Sequence, residues 1–128
     1  MKEETKRKKE HEVIISLASN EQAETHLAKA RELLKMLIHD LVFTQEKWTE
    51  PVHTIRKSPY LNQLCKGTTE LGPNLLSEVL KETERRIGRT HNEDGIVVID
   101  LDLMQYDDQR HHLRDWDRDY IKNLINEL

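Results

Sequence analysis

The chain has 128 residues, 36% of them hydrophobic, which suffices for one compact domain with a single modest core, and no second domain is expected. Charged residues make up 34% of it while the formal net charge is only -4, so the overall field draws neither nucleic acid nor an anionic membrane, and no partner of either kind is expected. The lone Cys65 excludes an internal disulfide framework and a cysteine zinc site, and no run approaches about eighteen apolar residues, so a soluble cytoplasmic protein is expected.

Residues 1–11 hold Lys6-Arg7-Lys8-Lys9 with Glu3, Glu4 and Glu10 nearby, a balanced charge run that predicts a solvated tail ahead of one domain over residues 12–128. Glu12 to Leu17 is rich in β-branched residues and predicts a strand, with Ser19 or Asn20 as the cap of a following helix. Leu27, Ala30, Leu34, Leu37, Ile38 and Leu41 recur at three- and four-residue steps and predict an amphipathic helix over Glu21 to Asp40. Leu41 to Thr49 reads as a second strand leading into the Pro51 loop, and Tyr60 to Thr68 as a third. Gly72-Pro73-Asn74 opens a second helix that Gly88 ends as a left-handed cap. Gly95 to Met104 predicts the fourth strand, and Trp116, Tyr120, Ile121, Leu124, Ile125 and Leu128 lie along one side of a last helix.

The order β-α-β-β-α-β followed by a helix is that of the α+β, ferredoxin-like split βαβ sandwich. This superfold hosts many chemistries, so function must come from a site. Within the fourth strand, Ile99-Asp100-Leu101-Asp102-Leu103 sets two carboxylates at i and i+2, where they project from one face. Such a pair is either a solvated strand face or a place to hold one or two divalent cations against a polyphosphate.

Several stretches, taken together, resemble the 6-hydroxymethyl-dihydropterin pyrophosphokinase family of folate-pathway enzymes. Val13-Ile14-Ile15-Ser16-Leu17-Ala18-Ser19-Asn20 is similar to the family's first strand and its Gly-Ser-Asn turn, and Tyr60-Leu61-Asn62 to its Tyr-Leu-Asn. Glu84 with Gly88-Arg89 resembles its second helix end, and the paired aspartates its Leu-Asp-Leu-Asp motif. His112, Arg118 and Tyr120 keep the spacing of its His, Arg and aromatic positions.

The resemblance implies transfer of pyrophosphate from ATP, the co-substrate, to a hydroxymethyl-dihydropterin, with Asp100 and Asp102 holding two Mg2+ ions. It implies that Pro51, Tyr60, Asn62 and Tyr120 contact the pterin and that Glu84, Arg89, His112 and Arg118 meet the nucleotide. Arg89, His112 and Arg118 are then the catalytic donors, since guanidinium and imidazolium groups suit phosphate oxygens.

Departures mark a divergent, shortened member. Where the family carries an Arg-Trp-Gly-Pro-Arg-Thr run, the chain reads Glu93-Asp94-Gly95-Ile96-Val97-Val98, so Glu93 and Val97 stand at two arginine positions. Ala18, Glu50 and His111 replace a glycine, a threonine and a proline. Losing arginines over the transferring group depresses turnover more than pterin binding, so the alternative is a catalytically degenerate pterin- or nucleotide-binding protein. An RNA-binding module is disfavoured by the lack of an aromatic-basic strand signature.

Overall fold

The computed structural model describes residues 9–51, 58–89 and 95–128. Most of the charged N-terminal segment, and Glu93, lie outside the described residues. Chain order is β1 (His11–Ser19), α1 (Ala23–Leu37), β2 (His39–Phe43), β3 (Lys47–Thr49), β4 (Tyr60–Thr69), α2 (Pro73–Ile87), β5 (Asp100–Tyr106) and β6 (Gln109–Arg110). A 3-10 turn at Asp115–Asp117, a short α3 (Asp119–Leu124) and a second 3-10 turn at Ile125–Glu127 follow. The strands form one antiparallel sheet in the order β2-β4-β1-β5-β6, with β3 also paired to β4. This is the expected split βαβ arrangement, an open sheet in a mixed α+β fold.

Alternation along the central strands divides the core in two. Val13, Ile15, Leu17, Leu61, Cys65, Leu101 and Leu103 face α1 and α2 and pack with Leu27, Ala30, Leu34, Leu76 and Leu80. Ile14, Leu64 and Met104 face the other way and pack with Trp116, Ile121 and Leu124 of the C-terminal segment. Helices therefore cover both faces, and α3 covers only part of the second. The uncovered part holds the candidate site.

Several boundaries depart from the sequence expectation, each for a local reason. The expected strand over Leu41 to Thr49 is split at Thr44, whose Oγ1 takes the Leu64 N–H at 3.0 Å while its carbonyl takes the Gln63 side-chain amide at 2.7 Å. A side chain thus replaces a rung of the ladder, and the chain kinks between β2 and β3. The first helix is shorter than expected, since Gln22 is left-handed (φ 42°) before it and Ile38 is extended after it. Neither Ser19 nor Asn20 caps α1. Asn20 instead donates to Gly95 O at 2.8 Å and accepts the Val97 N–H at 2.7 Å, which draws the chain before β5 away from strand pairing. The fourth expected strand accordingly begins at Asp100 and not at Gly95. The expected last helix is broken because Arg118 is extended between the first 3-10 turn and α3.

Gly88 does end α2 with positive φ (131°), its N–H reaching Glu84 O and Arg85 O. Gly67 is required for close approach: a Cβ there would lie 2.6 Å from His39 O and from Ile38 Cγ2. Among the described residues no helix is long and apolar enough to cross a membrane.

Candidate active site

The sheet face that α3 leaves open carries the alternate residues Ser16 and Ala18 of β1, Tyr60 and Asn62 of β4, and Asp100 and Asp102 of β5. They floor a cavity of about 260 Å3. Arg118, Tyr120 and Ile121 wall it on one side, Thr49 and Glu50 on another. Antiparallel pairing explains the convergence: Ser16 lies opposite Asp102, Ala18 opposite both Asp100 and Asn62. Side chains with one parity on three neighbouring strands must share a face.

Asp100 and Asp102 stand next to the unpaired edge of β5, and α2 supplies the groups that satisfy that edge. Glu84 is buried, accepting the Leu101 N–H at 2.7 Å, Lys81 Nζ at 3.0 Å and Arg89 Nη1 at 3.2 Å. A buried carboxylate without such partners would be costly; here three donors, two of them cationic, hold it. Arg89 Nη1 also donates to Ile99 O at 3.2 Å and to Asp100 Oδ1 at 2.9 Å. Burial opposes ionisation of Asp100, but hydrogen bonds from Asp102 and Arg89, with Lys81 close by, outweigh it and hold its carboxyl below the usual range. Burial and the neighbouring Asp100 charge push Asp102 up to about 6. Burial works against the charge on Lys81 too, yet its contact with Glu84 and the two aspartates raises its pKa.

A hard divalent cation fits this donor set. Among the described residues no cluster of three or more His, Cys, Asp or Glu side chains forms a closed cage. Mg2+ does not need one, since it takes one or two carboxylates and fills the rest of its octahedron with water and phosphate oxygens.

Of the remaining expected site residues, Tyr60, Asn62, Arg118 and Tyr120 line the same cavity, whereas His112 and Pro51 do not. Tyr60 is half-buried on its floor, and burial, with Asp100 nearby, raises its phenol pKa. Tyr120 lines the wall opposite the sheet, its own pKa raised by burial, with the Arg118 guanidinium 4.8 Å from its ring centre. Asn62 is buried, and its amide nitrogen serves Lys47 O (3.0 Å), Thr49 Oγ1 (2.9 Å) and Tyr60 O (3.2 Å). Arg118 is exposed, and among the described residues no carboxylate, Asp115 and Asp117 included, lies within ion-pair distance of it. His112 Nε2 lies 3.8 Å from Asp102 Oδ1, on a backbone with φ 54°. Its neighbours hold it there, since Trp116 Nε1 donates to His111 O at 2.9 Å and the His111 N–H to Met104 O at 2.8 Å. Pro51 is half-buried beside Glu50 and does not itself line the cavity.

Sequence reasoning missed Lys81, Ser16, Thr49 and Asp115. Of these only Lys81 left a trace, at i, i+3 to Glu84 on one helix face.

The chain is similar in sequence to known proteins. The model of the family described as 7,8-dihydro-6-hydroxymethylpterin-pyrophosphokinase matches residues 14–128. The chain is similar to a mitochondrial folate synthesis bifunctional protein of Arabidopsis thaliana, 34% identical over 128 residues covering 88% of this chain and 22% of that protein. A second folate synthesis bifunctional protein of the same plant is 30% identical over 124 residues, covering 86% of this chain and 25% of the relative. A mitochondrial one of Pisum sativum is 31% identical over 135 residues, covering 93% and 25%. The chain thus spans about a quarter of the length of these curated relatives. By the extent of the family match, it belongs to the 7,8-dihydro-6-hydroxymethylpterin-pyrophosphokinase family.

Proposed function

We propose that the chain transfers the pyrophosphoryl group of ATP to the hydroxyl of a 6-hydroxymethyl-dihydropterin in folate biosynthesis, releasing AMP. The observation that carries this reading is one cavity bordered at once by Asp100 and Asp102 and by Tyr60, Asn62 and Tyr120. Two rings and an amide suit a flat heterocycle: Tyr60 and Tyr120 offer apolar faces and exclude water, while the Asn62 oxygen accepts from a pterin N–H. Its amide nitrogen, held by three oxygens around β3, keeps that oxygen oriented.

Asp100 and Asp102 would hold two Mg2+ ions, which when bound neutralise phosphate charge and orient the polyphosphate. Arg89 Nη1 positions Asp100, and the other donors of its fork serve a phosphate. Arg118, with no carboxylate partner among the described residues, and His112, set beside Asp102 by its left-handed backbone, donate to phosphate oxygens as charge builds on the leaving group. Glu84 reaches the nucleotide site only through Lys81, Arg89 and the β5 backbone, so we assign it a positioning role. Thr49 and Glu50, next to Pro51, form the rim of the pterin end. We place the protein in the cytoplasm; two relatives are named mitochondrial, and a free, buried Cys65 suits either reducing compartment.

One observation favours a second reading, a degenerate binding protein of the same fold. Val97 stands at a position where the resemblance puts an arginine, yet its side chain is buried and its N–H and carbonyl are both bonded to Asn20. No cation reaches the cavity from there. Incubation with ATP, Mg2+ and reduced hydroxymethyl pterin separates the two. The kinase reading expects AMP release that Asp100→Ala with Asp102→Ala abolishes. Absence of AMP, with a pterin analogue still raising the melting temperature, replaces it by the binding-protein reading.

A further inference from the structure

Lys81 reaches from α2 around the free edge of β5. Its Nζ is fixed at 3.0 Å from Glu84 Oε2 and 3.3 Å from Leu101 O. From that point it stands 3.5 Å from Asp102 Oδ1 and 3.9 Å from Asp100 Oδ1, so one ammonium is shared by both carboxylates. Arg89, the other cation here, approaches Asp100 alone at 2.9 Å. A divalent ion seeks the same oxygens as Lys81, and two cations crowded onto one pair of carboxylates repel each other.

Lys81 also has somewhere to go. Its side chain is 47% exposed, and the outer side of α2 carries an open depression of about 390 Å3 lined by Ser77, Glu78, Lys81 and Arg85. A flexible four-carbon stem can turn its ammonium into that depression, where Glu78 lies one helical turn away.

We propose that Lys81 is the resident cation of the Asp100–Asp102 pair, one that a divalent ion must displace in order to bind. It holds the two carboxylates together while no metal is present, and it weakens the site for free metal. The inference rests on the reading of these aspartates as metal ligands and names a residue that the sequence did not single out.

The test is a Mn2+ titration followed by electron paramagnetic resonance, at one pH and ionic strength, on the whole chain and on its Lys81→Met and Lys81→Arg variants. Lys81→Met keeps the apolar stem and should bind Mn2+ roughly tenfold more tightly, the effect of removing one partly screened unit charge at this range. Lys81→Arg keeps the charge and should stay near the parent affinity. If Lys81→Met does not fold, Lys81→Gln takes its place with the same expectation. A neutral variant that binds Mn2+ no more tightly than the parent, or not at all, overturns the proposal, as does a Lys81→Arg variant as tight as Lys81→Met. Normal AMP release without the tightening would remove the role of Lys81 and leave the pyrophosphokinase reading standing. Tightening without any AMP release would do the reverse.

Discussion

Two carboxylates side by side on one strand face cannot ionise independently, and the protein resolves the conflict unequally. Asp100 has the Arg89 guanidinium at 2.9 Å and is held below its ordinary pKa, while Asp102 is pushed up to about 6 by burial and by the Asp100 charge. The two therefore act on stability with opposite signs in the metal-free protein. Asp102 binds its proton more tightly folded than unfolded, so its contribution is fully present below its ordinary value of 3.8 and is lost as pH rises through about 6. Asp100 contributes stability above 3.8 that disappears as pH falls through its lowered folded value. At pH 7.5 in chelator, Asp102→Asn should raise the unfolding free energy by about 1 kcal/mol and Asp100→Asn should lower it by a similar amount, discounted for partial exposure. Urea denaturation measures both, and shifts of the same sign would refute the unequal division. The i, i+2 spacing made the pair legible in sequence; which partner bears the strain was not, because Arg89 and Lys81 reach them only once α2 docks on β5.

Elements began and ended where side chains competed with the backbone. Asn20 looked like a helix cap, a role its residue type favours, but its amide bridges Gly95 and Val97 and so terminates β1 and delays β5 together. Asn20→Ala leaves the buried Val97 N–H without its partner and should cost about 2 kcal/mol in urea denaturation. Asn20→Asp keeps the acceptor for Val97, loses the donor to Gly95, and should cost about half as much. Equal losses would mean that the Val97 bond is not the dominant one. Thr44 acted similarly in splitting the expected second strand. Apolar periodicity located the long elements, α1, β4 and α2, because each depends on its own alternation or helical stripe. β4 and α2 end within a residue of where the pattern puts them, whereas the second strand and β5 do not, because the deciding hydrogen bonds there join residues distant in sequence.

On the scale of the molecule, the sheet is a partition: one face is packed by α1 and α2, and the other is shared between the Trp116 cluster and the cavity. Trp116 is the anchor of that second layer, bonded to His111 O and Met104 O with the Arg110 guanidinium 3.9 Å over its ring. Trp116→Ala should cost about 3 kcal/mol and release the wall that carries Arg118 and Tyr120. Calorimetry would show a lower melting temperature, and titration would show loss of pterin-analogue binding with Mn2+ binding largely kept, because Asp100 and Asp102 belong to β5. Retained pterin binding would mean that the wall is held by other contacts.

The sequence by itself determined the order of strands and helices, the parity that puts Asp100, Asp102, Tyr60 and Asn62 on common strand faces, and the motif spacing that resembles the family. Those are local properties, set by the two-residue period of a strand and the 3.6-residue period of a helix. Only the tertiary structure decided that these faces are the same face of one sheet, that α3 leaves it open, and that Lys81, Glu84 and Arg89 complete the edge of β5. Each of those facts depends on which strands pair and how a helix docks across them, and no local pattern encodes contacts between segments that meet only on folding.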